Sequence, residues 1–403
     1  MKETIPPRTD LVFQPFELPC GRVLKNRIVK SAMSDSLGDG RGNPTDTQIR
    51  LYERWTEGGV AASIIGEVQI NPWFPEKPGN LVLAKDLDSS KFLELARRGS
   101  ANHASLWLQL GHAGAMAHQP ISTPKGPSAL EFPELKCAAL SRDEIRRLPS
   151  EFAHAAAGAK ALGFGGVQIH AAHGFLLSQF LSPLFNRRDD DYGGSIANRM
   201  RLLLEVIEDV RSAVGPGFPV ALKLNSSDQL EGGLTQADAL KVISALDRTG
   251  IDLIDISGGT YFPGARSASE TAGRGPYFLD FARRARRLTG KPIMLTGGFK
   301  NLAQAGEAVS DGSVDFVGLA RALVLDPDLP RHWQMGLVDG PVFPRFSTPP
   351  EGGVTAWYTM RLADIGENRE TTGSTDLEAA VAAYDGRDRR RIELWMARFP
   401  VRR

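Results

Sequence analysis

The amino-acid sequence predicts an α/β protein, a (β/α)8 TIM barrel with an N-terminal hairpin and a C-terminal helical extension. The first observation behind this prediction is an alternation, because eight short apolar segments are each followed by a segment with helical periodicity. The second is the turn after the first apolar segment, Ser31-Ala-Met-Ser34. A doubly wound sheet that binds a dinucleotide would carry a G-x-G-x-x-G turn there, and this sequence does not.

The elements follow one another from residue 13 onwards. Residues 13–27 alternate in polarity and contain Pro19 and Gly21, which predicts a small hairpin that plugs one end of the barrel. The strands are predicted at Ile28–Met33, Ala61–Gly66, Leu106–Leu110, Gly166–His170, Pro219–Leu224, Ile251–Ile256, Pro292–Thr296 and Val314–Gly318. The helices are predicted near Thr47–Glu57, Ser89–Asn102, Ser141–Leu162, Ser195–Val214, Thr235–Thr249, Tyr277–Thr289, Asn301–Ser310 and Asp326–Trp333.

The sequence changes character near residue 340. We predict a barrel over residues 1–340 and an extension over residues 341–403, which is polar and charged and has a Gly/Pro-rich lead-in at Thr348–Gly353. The extension is too short for a second cofactor domain, so we expect it to pack on the barrel or on a neighbouring subunit. Its arginines between residues 387 and 391 are interpreted as a solvated helix face.

Composition limits the possible partners. A chain of 403 residues with 42% hydrophobic content buries a large core. The net charge of +1 gives no electrostatic reason for a nucleic-acid or membrane partner, so we expect a small-molecule substrate. Cys20 and Cys137 are too few for a disulfide scaffold or an iron–sulfur site, and no metal site is predicted. With neither a leader peptide nor an apolar run of about 18 residues, the expected location is the cytoplasm.

Two histidines end the fourth predicted strand. Val167 and Ile169 alternate with Gln168 and His170, so one pair should face the helices and the other the barrel interior. His173 follows three residues after His170. Two imidazoles at the end of one strand can hold a carbonyl, nitro or phenolate oxygen, in either neutral or cationic form. The alternative is a structural pair that caps a turn.

The residues after these histidines carry a long motif. It runs through His170-Ala-Ala-His-Gly-Phe-Leu176, Phe180-Leu-Ser-Pro183 and Asn186-Arg-Arg-Asp-Asp-Asp-Tyr-Gly-Gly-Ser195 to Asn198-Arg199. This motif resembles that of the old yellow enzyme family, the FMN-dependent NAD(P)H:flavin oxidoreductases, and the resemblance covers residues 10–340. It implies a barrel that binds FMN, with NADH or NADPH as reductant, and a homo-oligomer. The charges between residues 186 and 199 are interpreted as structural, with Ser195 as a helix N-cap.

Glycine-rich turns end the seventh and eighth predicted strands. Barrels commonly bind phosphate at these two loops, through exposed backbone N–H groups. The alternative is simple turn glycines. The resemblance assigns the FMN phosphate to Gly297, Gly298, Gly318, Ala320 and Arg321.

Other strand ends are expected to contact the flavin ring. Lys223 lies between apolar residues, which predicts a buried side chain with an anionic partner, or else a strand-end lysine that reaches water. By resemblance, this lysine lies beside flavin N1, where it stabilises negative charge. The resemblance also assigns flavin contacts to Ala32, Met33, Ser34, Gly66, Gln109 and His170. For Gly66 the alternative is a simple turn glycine. His112 is interpreted as structural, and Ala115 stands where the related motif has arginine.

Phe175 is the main departure from the family motif. Ene-reductases of the family have tyrosine here, which donates a proton to the substrate carbon, and a benzyl side chain has no such proton. Water or Tyr261 is expected to substitute, so the predicted catalytic residues are His170, His173 and Tyr261. The sequence predicts an ene-reductase-like enzyme that reduces α,β-unsaturated carbonyls by ping-pong hydride transfer, or alternatively a nitro or quinone reductase.

Three further functions stay open at this stage. A flavin-dependent dehydrogenase or demethylase would oxidise its organic substrate. A cofactor-free barrel, such as an aldolase, would be colourless when purified. A binding protein that kept the flavin fold would bind FMN but would not be bleached by NADH or NADPH.

Overall fold

The computed structural model describes residues 9–83, 87–133, 135–262, 265, 275–370 and 375–400. Eight parallel strands close into a barrel, which confirms the predicted fold class. They are numbered β1 to β8 in chain order: Ile28–Lys30, Ala62–Gln69, Ser105–Gly111, Gly166–Ala171, Val220–Asn225, Leu253–Ser257, Ile293–Thr296 and Phe316–Leu319. Each of them overlaps the strand that the sequence predicts.

The barrel closes because β1 pairs in parallel with both β8 and β2. On β4, Val167 and Ile169 belong to the apolar core shared with the outer helices. The side chain of Gln168 instead forms hydrogen bonds across the interior. The predicted alternation of this strand is therefore confirmed.

The predicted N-terminal hairpin is present and covers one barrel end. It consists of the antiparallel strands Phe16–Glu17 and Val23–Leu24. The Phe16 ring packs 5.0 Å from the ring of Phe316, and Leu24 joins the same apolar cluster as Trp107. These contacts involve residues near the N-terminal ends of the barrel strands. The opposite end of the barrel therefore carries the C-terminal ends of the strands and the long loops.

Helices surround the barrel. Those of the described residues are numbered α1 to α13: Asp46–Glu57, Ser89–Gly99, Arg142–Ala161, Leu176–Leu181, Ile196–Arg199, Arg201–Val214, Gln236–Leu246, Leu279–Ala285, Leu302–Ser310, Arg321–Leu325, Leu329–Gln334, Gly353–Gly366 and Leu377–Arg398. None of them is both long enough and apolar enough to cross a bilayer. The short helix α4 was not predicted, because all six of its residues are buried and it lacks an amphipathic pattern.

Polar side chains fix the loops at the open end. The long loop after β3 contains a small sheet formed by Lys125–Gly126, Leu130–Phe132 and Leu135–Ala139. Arg188 donates hydrogen bonds to the carbonyl oxygens of two residues near this sheet. Ser195 caps α5 by accepting a hydrogen bond from the backbone N–H of Asn198. These contacts agree with the structural role predicted for the charged segment 186–199.

The C-terminal helices pack on the barrel of the same chain. On α12, a Cβ added to Gly366 would lie 2.3 Å from the carbonyl oxygen of Thr47, so α12 and α1 approach closely. The next helix, α13, lies against the loop after β1, where a Cβ on Gly40 would come within 3.1 Å of the Cα of Arg391. The division at residue 340 stays a prediction.

The interpretation of residues 387–391 as a solvated helix face is wrong for two arginines. Arg391 donates a hydrogen bond to the carbonyl oxygen of Ser36. The three guanidinium nitrogens of Arg387 are buried, and its Cζ lies 5.5 Å from the Tyr384 ring. Only Arg389 and Arg390 are exposed, because α13 turns the other two side chains toward the barrel.

Candidate active site

A cavity of about 290 Å³ lies where β7 and β8 end. Gly297 and Gly298 have φ values of +122° and +86°, which glycine adopts without strain. Arg321 stands at the first position of α10, and its Cζ lies 5.6 Å from the Tyr358 ring. All five residues predicted to hold phosphate line the cavity, and sequence reasoning missed Tyr277, Lys300, Phe343, Phe346 and Tyr358.

Gly318, in β8, is required by a packing contact that the sequence did not reveal. A Cβ on Gly318 would lie 2.3 Å from Thr296 Oγ1 and 2.4 Å from Ser31 Oγ. Those two hydroxyl groups form a 2.8 Å hydrogen bond inside the barrel. Close packing between strands therefore requires glycine here, whether or not an anion lies nearby.

Replacing Gly298 with alanine is expected to weaken FMN binding by tenfold or more, about 1.4 kcal/mol. The added Cβ would lie 2.1 Å from the carbonyl oxygen of Gly275, so the turn has to move. Gly312→Ala is the matched control, because that glycine also has a positive φ but its Cβ meets no atom within 4 Å. Fluorescence titration of the apoprotein with FMN measures both affinities, and equal affinities would contradict the assignment.

A buried polar network crosses the barrel interior. Gln109 Nε2 donates to Gln168 Oε1 at 2.7 Å, and Gln168 Nε2 donates to Asp255 Oδ2 at 3.0 Å. Asp255 also accepts from Thr296 Oγ1 at 2.7 Å and forms an ion pair with Lys223. Lys223 is 1% exposed, so its predicted burial and anionic partner are confirmed and the alternative of a lysine reaching water is wrong. Asp255 was missed, although an acid between apolar residues of a predicted strand is a signal.

The two predicted histidines lie together at the end of β4. Their ring centroids are 5.2 Å apart, and His173 has a positive φ of 60°. The backbone N–H of His173 donates to Asn225 Oδ1, and its Nε2 lies 2.9 Å from Ser257 Oγ. Burial lowers the pKa of His170 to about 3, with a smaller contribution from Lys223, and burial also lowers the pKa of His173. Both imidazoles are therefore neutral at pH 7.

Glu67 faces the histidine pair, and sequence reasoning missed it. The register of β2 shifts between Ile65 and Val68, and Glu67 has a φ of +60° at this bulge. Its Oε1 lies 3.2 Å from His170 Nε2. Burial raises the pKa of Glu67 to about 8, against a hydrogen bond with Gln69. A carboxyl in an otherwise apolar strand, next to a glycine, was the available signal.

Ser34 and Gly66 make contacts within the protein that the sequence did not indicate, and their flavin contacts stay predictions. Ser34 Oγ donates to Glu76 Oε2 at 2.8 Å, so this hydroxyl already has an acceptor within the protein. A Cβ on Gly66 would lie 2.3 Å from the Met33 carbonyl oxygen, so glycine is required there by the approach of two backbones. Ala32 and Met33 are partly buried beside them. Burial raises the pKa of Glu76 to about 7.

Phe175 and Tyr261 form one aromatic wall of the site. Phe175 is 3% exposed, and its ring lies 5.1 Å from that of His170. Tyr261 is 68% exposed, and its ring lies 5.5 Å from His173 and 6.2 Å from Phe175. Tyr261 therefore accompanies the histidines at the barrel mouth. Most of the rest of its loop, residues 263–264 and 266–274, lies outside the described residues.

His112 has the structural role that was predicted. Its Nδ1 accepts a hydrogen bond from the backbone N–H of Gly114 at 3.0 Å, and its ring stacks on Phe74 at 4.3 Å. Burial lowers its pKa to about 3, so it is neutral.

The chemistry of these groups fits FMN. The glycine turns and Arg321 offer an anion cradle at one side of the barrel mouth. Lys223 and the amide of Gln109 offer polar contacts at the interior, and both ring nitrogens of His170 are buried with no hydrogen-bond partner among the described residues. An unpartnered buried nitrogen indicates a ligand or water at this position.

Comparisons with known proteins identify the family of the chain. The sequence model described as the NADH:flavin oxidoreductase / NADH oxidase family matches residues 11–339. The NADH-dependent flavin oxidoreductase iliE of Neonectria sp. (strain DH2) is 35% identical over 356 residues, which are 79% of this chain and 46% of that protein. The iliE protein of Hypocrea jecorina (strain QM6a) is 33% identical over 353 residues, 79% of this chain and 87% of that protein.

The chain is also similar to a solved structure. Morphinone reductase in complex with tetrahydroNAD is 26% identical, with a TM-score of 0.69 over 83% of this chain and 93% of that chain. The chain thus spans about half the length of the Neonectria protein and most of the length of the other two.

Proposed function

The chain belongs to the NADH:flavin oxidoreductase / NADH oxidase family, to which the old yellow enzyme resemblance pointed, and on this premise we propose that it passes hydride from NADH or NADPH, through bound FMN, to an electron-poor organic substrate. The names of its relatives support a nicotinamide reductant. α,β-Unsaturated carbonyls are the first class of substrate that we propose. The observation that carries the proposal is the pair of neutral histidines beside the buried Lys223–Asp255 ion pair.

Different residues of this chain are proposed to bind the phosphate and the ring of FMN. Bound FMN supplies a two-electron carrier that takes up and releases hydride at N5. Its phosphate is proposed to lie in the cradle of Gly297, Gly298, Gly318, Ala320 and Arg321. Its ring is proposed to contact Ala32, Met33, Ser34, Gly66, Gln109, His170 and Lys223. Lys223 would stabilise negative charge on the ring edge, because its ammonium is held in a buried, low-dielectric interior.

The histidines are proposed to bind the substrate oxygen. Each neutral imidazole donates one N–H, and two donors on one oxygen stabilise the charge that develops there during hydride addition. Nicotinamide and substrate would use the same pocket in turn, which gives ping-pong kinetics. Tyr261, at the rim, is the proposed proton donor for a substrate carbon.

Reduction of quinones or nitro compounds is the second candidate function. Phe175 favours it, because this ring lies against His170 in the position of the family tyrosine and carries no proton. Hydride addition to a conjugated C=C bond needs a proton on carbon, whereas a quinone takes its proton on oxygen.

Anaerobic stopped-flow spectroscopy of the flavin absorbance tests the proposal. NADH or NADPH is expected to bleach the flavin, and 2-cyclohexenone, a quinone or a nitroaromatic compound is expected to restore the colour. Restoration by cyclohexenone identifies an ene-reductase, and restoration by a quinone or nitro compound alone identifies the second function. If neither nucleotide bleaches the flavin, the proposal fails and a dehydrogenase, a demethylase or a flavin-binding protein takes its place. The homo-oligomer and the cytoplasmic location stay predictions.

A further inference from the structure

Glu67 and His170 are joined in a way that the proposed function does not use. Glu67 Oε1 lies 3.2 Å from His170 Nε2, and in the part of the chain that the structure describes Glu67 Oε2 is buried without a hydrogen-bond partner. The bulge in β2 is what aims this side chain at β4. A non-glycine residue keeps a left-handed conformation only where its surroundings hold it, and such residues cluster at functional sites.

The donors and acceptors of this pair fix where its protons lie. At neutral pH the carboxyl of Glu67 is protonated and the imidazole of His170 is neutral, because burial shifts their pKa values to about 8 and about 3. At a separation of 3.2 Å, a protonated carboxyl can donate its hydrogen to Nε2, which has no other partner within the described residues. The imidazole proton then lies on Nδ1, which has no partner within the described protein. Nδ1–H is therefore the donor left for a substrate oxygen.

We propose that Glu67 and His170 form a proton-delivery pair that protonates the substrate oxygen, and that this pair, with Phe175 in place of a carbon acid, makes quinones the preferred oxidising substrates. This inference rests on the proposed function and specifies its substrate class. Glu67 acts through His170, so it is a positioning and proton-supplying residue, while His170 contacts the substrate.

The proposed step balances in atoms and charge. A quinone takes up one hydride, delivered from the reduced flavin to one carbonyl oxygen, and the other oxygen becomes a phenolate. His170 gives its Nδ1 proton to that phenolate and receives the Glu67 proton at Nε2. Two carbonyl groups thus become two O–H groups, and the C=O π bonds are lost as the ring becomes aromatic. The pair returns to its starting state when His170 Nδ1 takes up a proton from water and Nε2 returns its proton to the Glu67 carboxylate. An enone would instead need its proton on carbon. In the proposed contact, His170 faces the substrate oxygen and not that carbon.

The charged groups around the pair keep the proton on Glu67. Lys223, on β5, lowers the pKa of His170, and Asp255, on β6, partly opposes it. Glu76, in the loop after β2, is close enough for Glu67 to raise its pKa, so the two carboxyls do not both ionise readily. His173, beside His170, is neutral, and Tyr261 lies at the rim. No cation within the described residues pairs with the Glu67 carboxyl.

Glu67→Gln is the decisive variant, because glutamine keeps the shape of the side chain and removes its acidic proton. Stopped-flow reoxidation by a quinone is expected to slow about 100-fold, within the range that a positioned acid contributes. In the wild type this rate is expected to fall above pH 8, and the fall should be absent in the variant. Glu205→Gln, which changes a partly buried acid on α6 bonded to Tyr192, is the matched control and should keep the wild-type profile.

The two half-reactions separate the possible outcomes. Each reoxidation rate is measured on flavin that NADH or NADPH has already bleached, so a change in that first half-reaction in Glu67→Gln does not enter the comparison. A wild-type rate and pH profile for quinone reoxidation in the variant would overturn the inference and leave the proposed function intact. Loss of bleaching already in the wild type would instead sink the proposed function.

Infrared difference spectroscopy provides a readout that does not depend on turnover. The wild type should show the C=O stretch of a protonated carboxyl that disappears as pH rises through 8, and this band should be missing from Glu67→Gln. Subtracting the two spectra separates Glu67 from Glu76, which stays in both proteins. The free energy of unfolding of the wild type should depend on pH in the same range. The raised pKa of Glu67 stabilises the folded protein below about pH 4.5, and this contribution is lost as pH rises through 8. If both proteins show the same band and the same pH dependence of unfolding, Glu67 is ionised and delivers no proton.

Discussion

Replacing Lys223 with methionine is expected to lower the free energy of unfolding by about 3–5 kcal/mol. The change leaves Asp255, which is fully buried, as a charge without its cation. Gln168 and Thr296 donate hydrogen bonds to this carboxylate, but neither of them neutralises it. Denaturant unfolding of the two proteins measures the loss directly.

A double variant separates stability from function at this position. Lys223→Met combined with Asp255→Asn removes both charges and keeps one acceptor oxygen, for either Gln168 or Thr296, so part of the lost stability should return. Reduction of the flavin by NADH or NADPH should stay slow, because the cation proposed to face the flavin ring is still missing. A Lys223→Met protein as stable as the wild type would show that the ion pair contributes nothing to folding.

Replacing Phe175 with tyrosine is expected to raise the rate of flavin reoxidation by 2-cyclohexenone about 100-fold. The new hydroxyl would extend from a ring that already lies 5.1 Å from the ring of His170, beside the proposed position of the substrate. It would supply a proton for the substrate carbon from a position deeper in the site than Tyr261, which lies at the rim. Stopped-flow reoxidation with cyclohexenone and with a quinone measures both activities, and quinone reoxidation should change little.

Phe74→Tyr is the matched control for this gain. It adds the same hydroxyl to another ring of the same apolar cluster, one that stacks on His112 and not on the histidine pair. No increase in cyclohexenone reoxidation is expected from it. An unchanged rate in Phe175→Tyr would show that position 175 does not face the substrate carbon.

The barrel was predictable because its signals are repeated. Eight apolar segments recur with helical segments between them, and an error at one strand does not alter the pattern. The burial of Lys223 was also predictable, since a lysine between apolar residues of a strand must find an anion. The identity of that anion was not, because pairing between β5 and β6 depends on barrel closure and leaves no local pattern.

Single residues with unusual backbones were the least predictable part of the site. Glu67 reaches His170 only because β2 bulges, and a bulge of this kind has no composition signature in Gly66-Glu-Val68. The hydrogen bond from Ser34 to Glu76, which lies in another loop, was also not indicated by the sequence. The inward turn of Arg387 was missed because a run of arginines usually marks a solvated surface. In each case a tertiary contact, absent from the local sequence, decided the outcome.

The packing of α13 against the loop after β1 has a consequence for the order of folding. Arg391 and Ser36, which it joins, are 355 residues apart in sequence. Trp395, fully buried, adds a second tie to the carbonyl oxygen of Pro72. During synthesis, the loop that carries Ser34 leaves the ribosome long before the helix that holds it. Contacts of such long range form late, so the nascent barrel should close first and the wall of its site should be completed last.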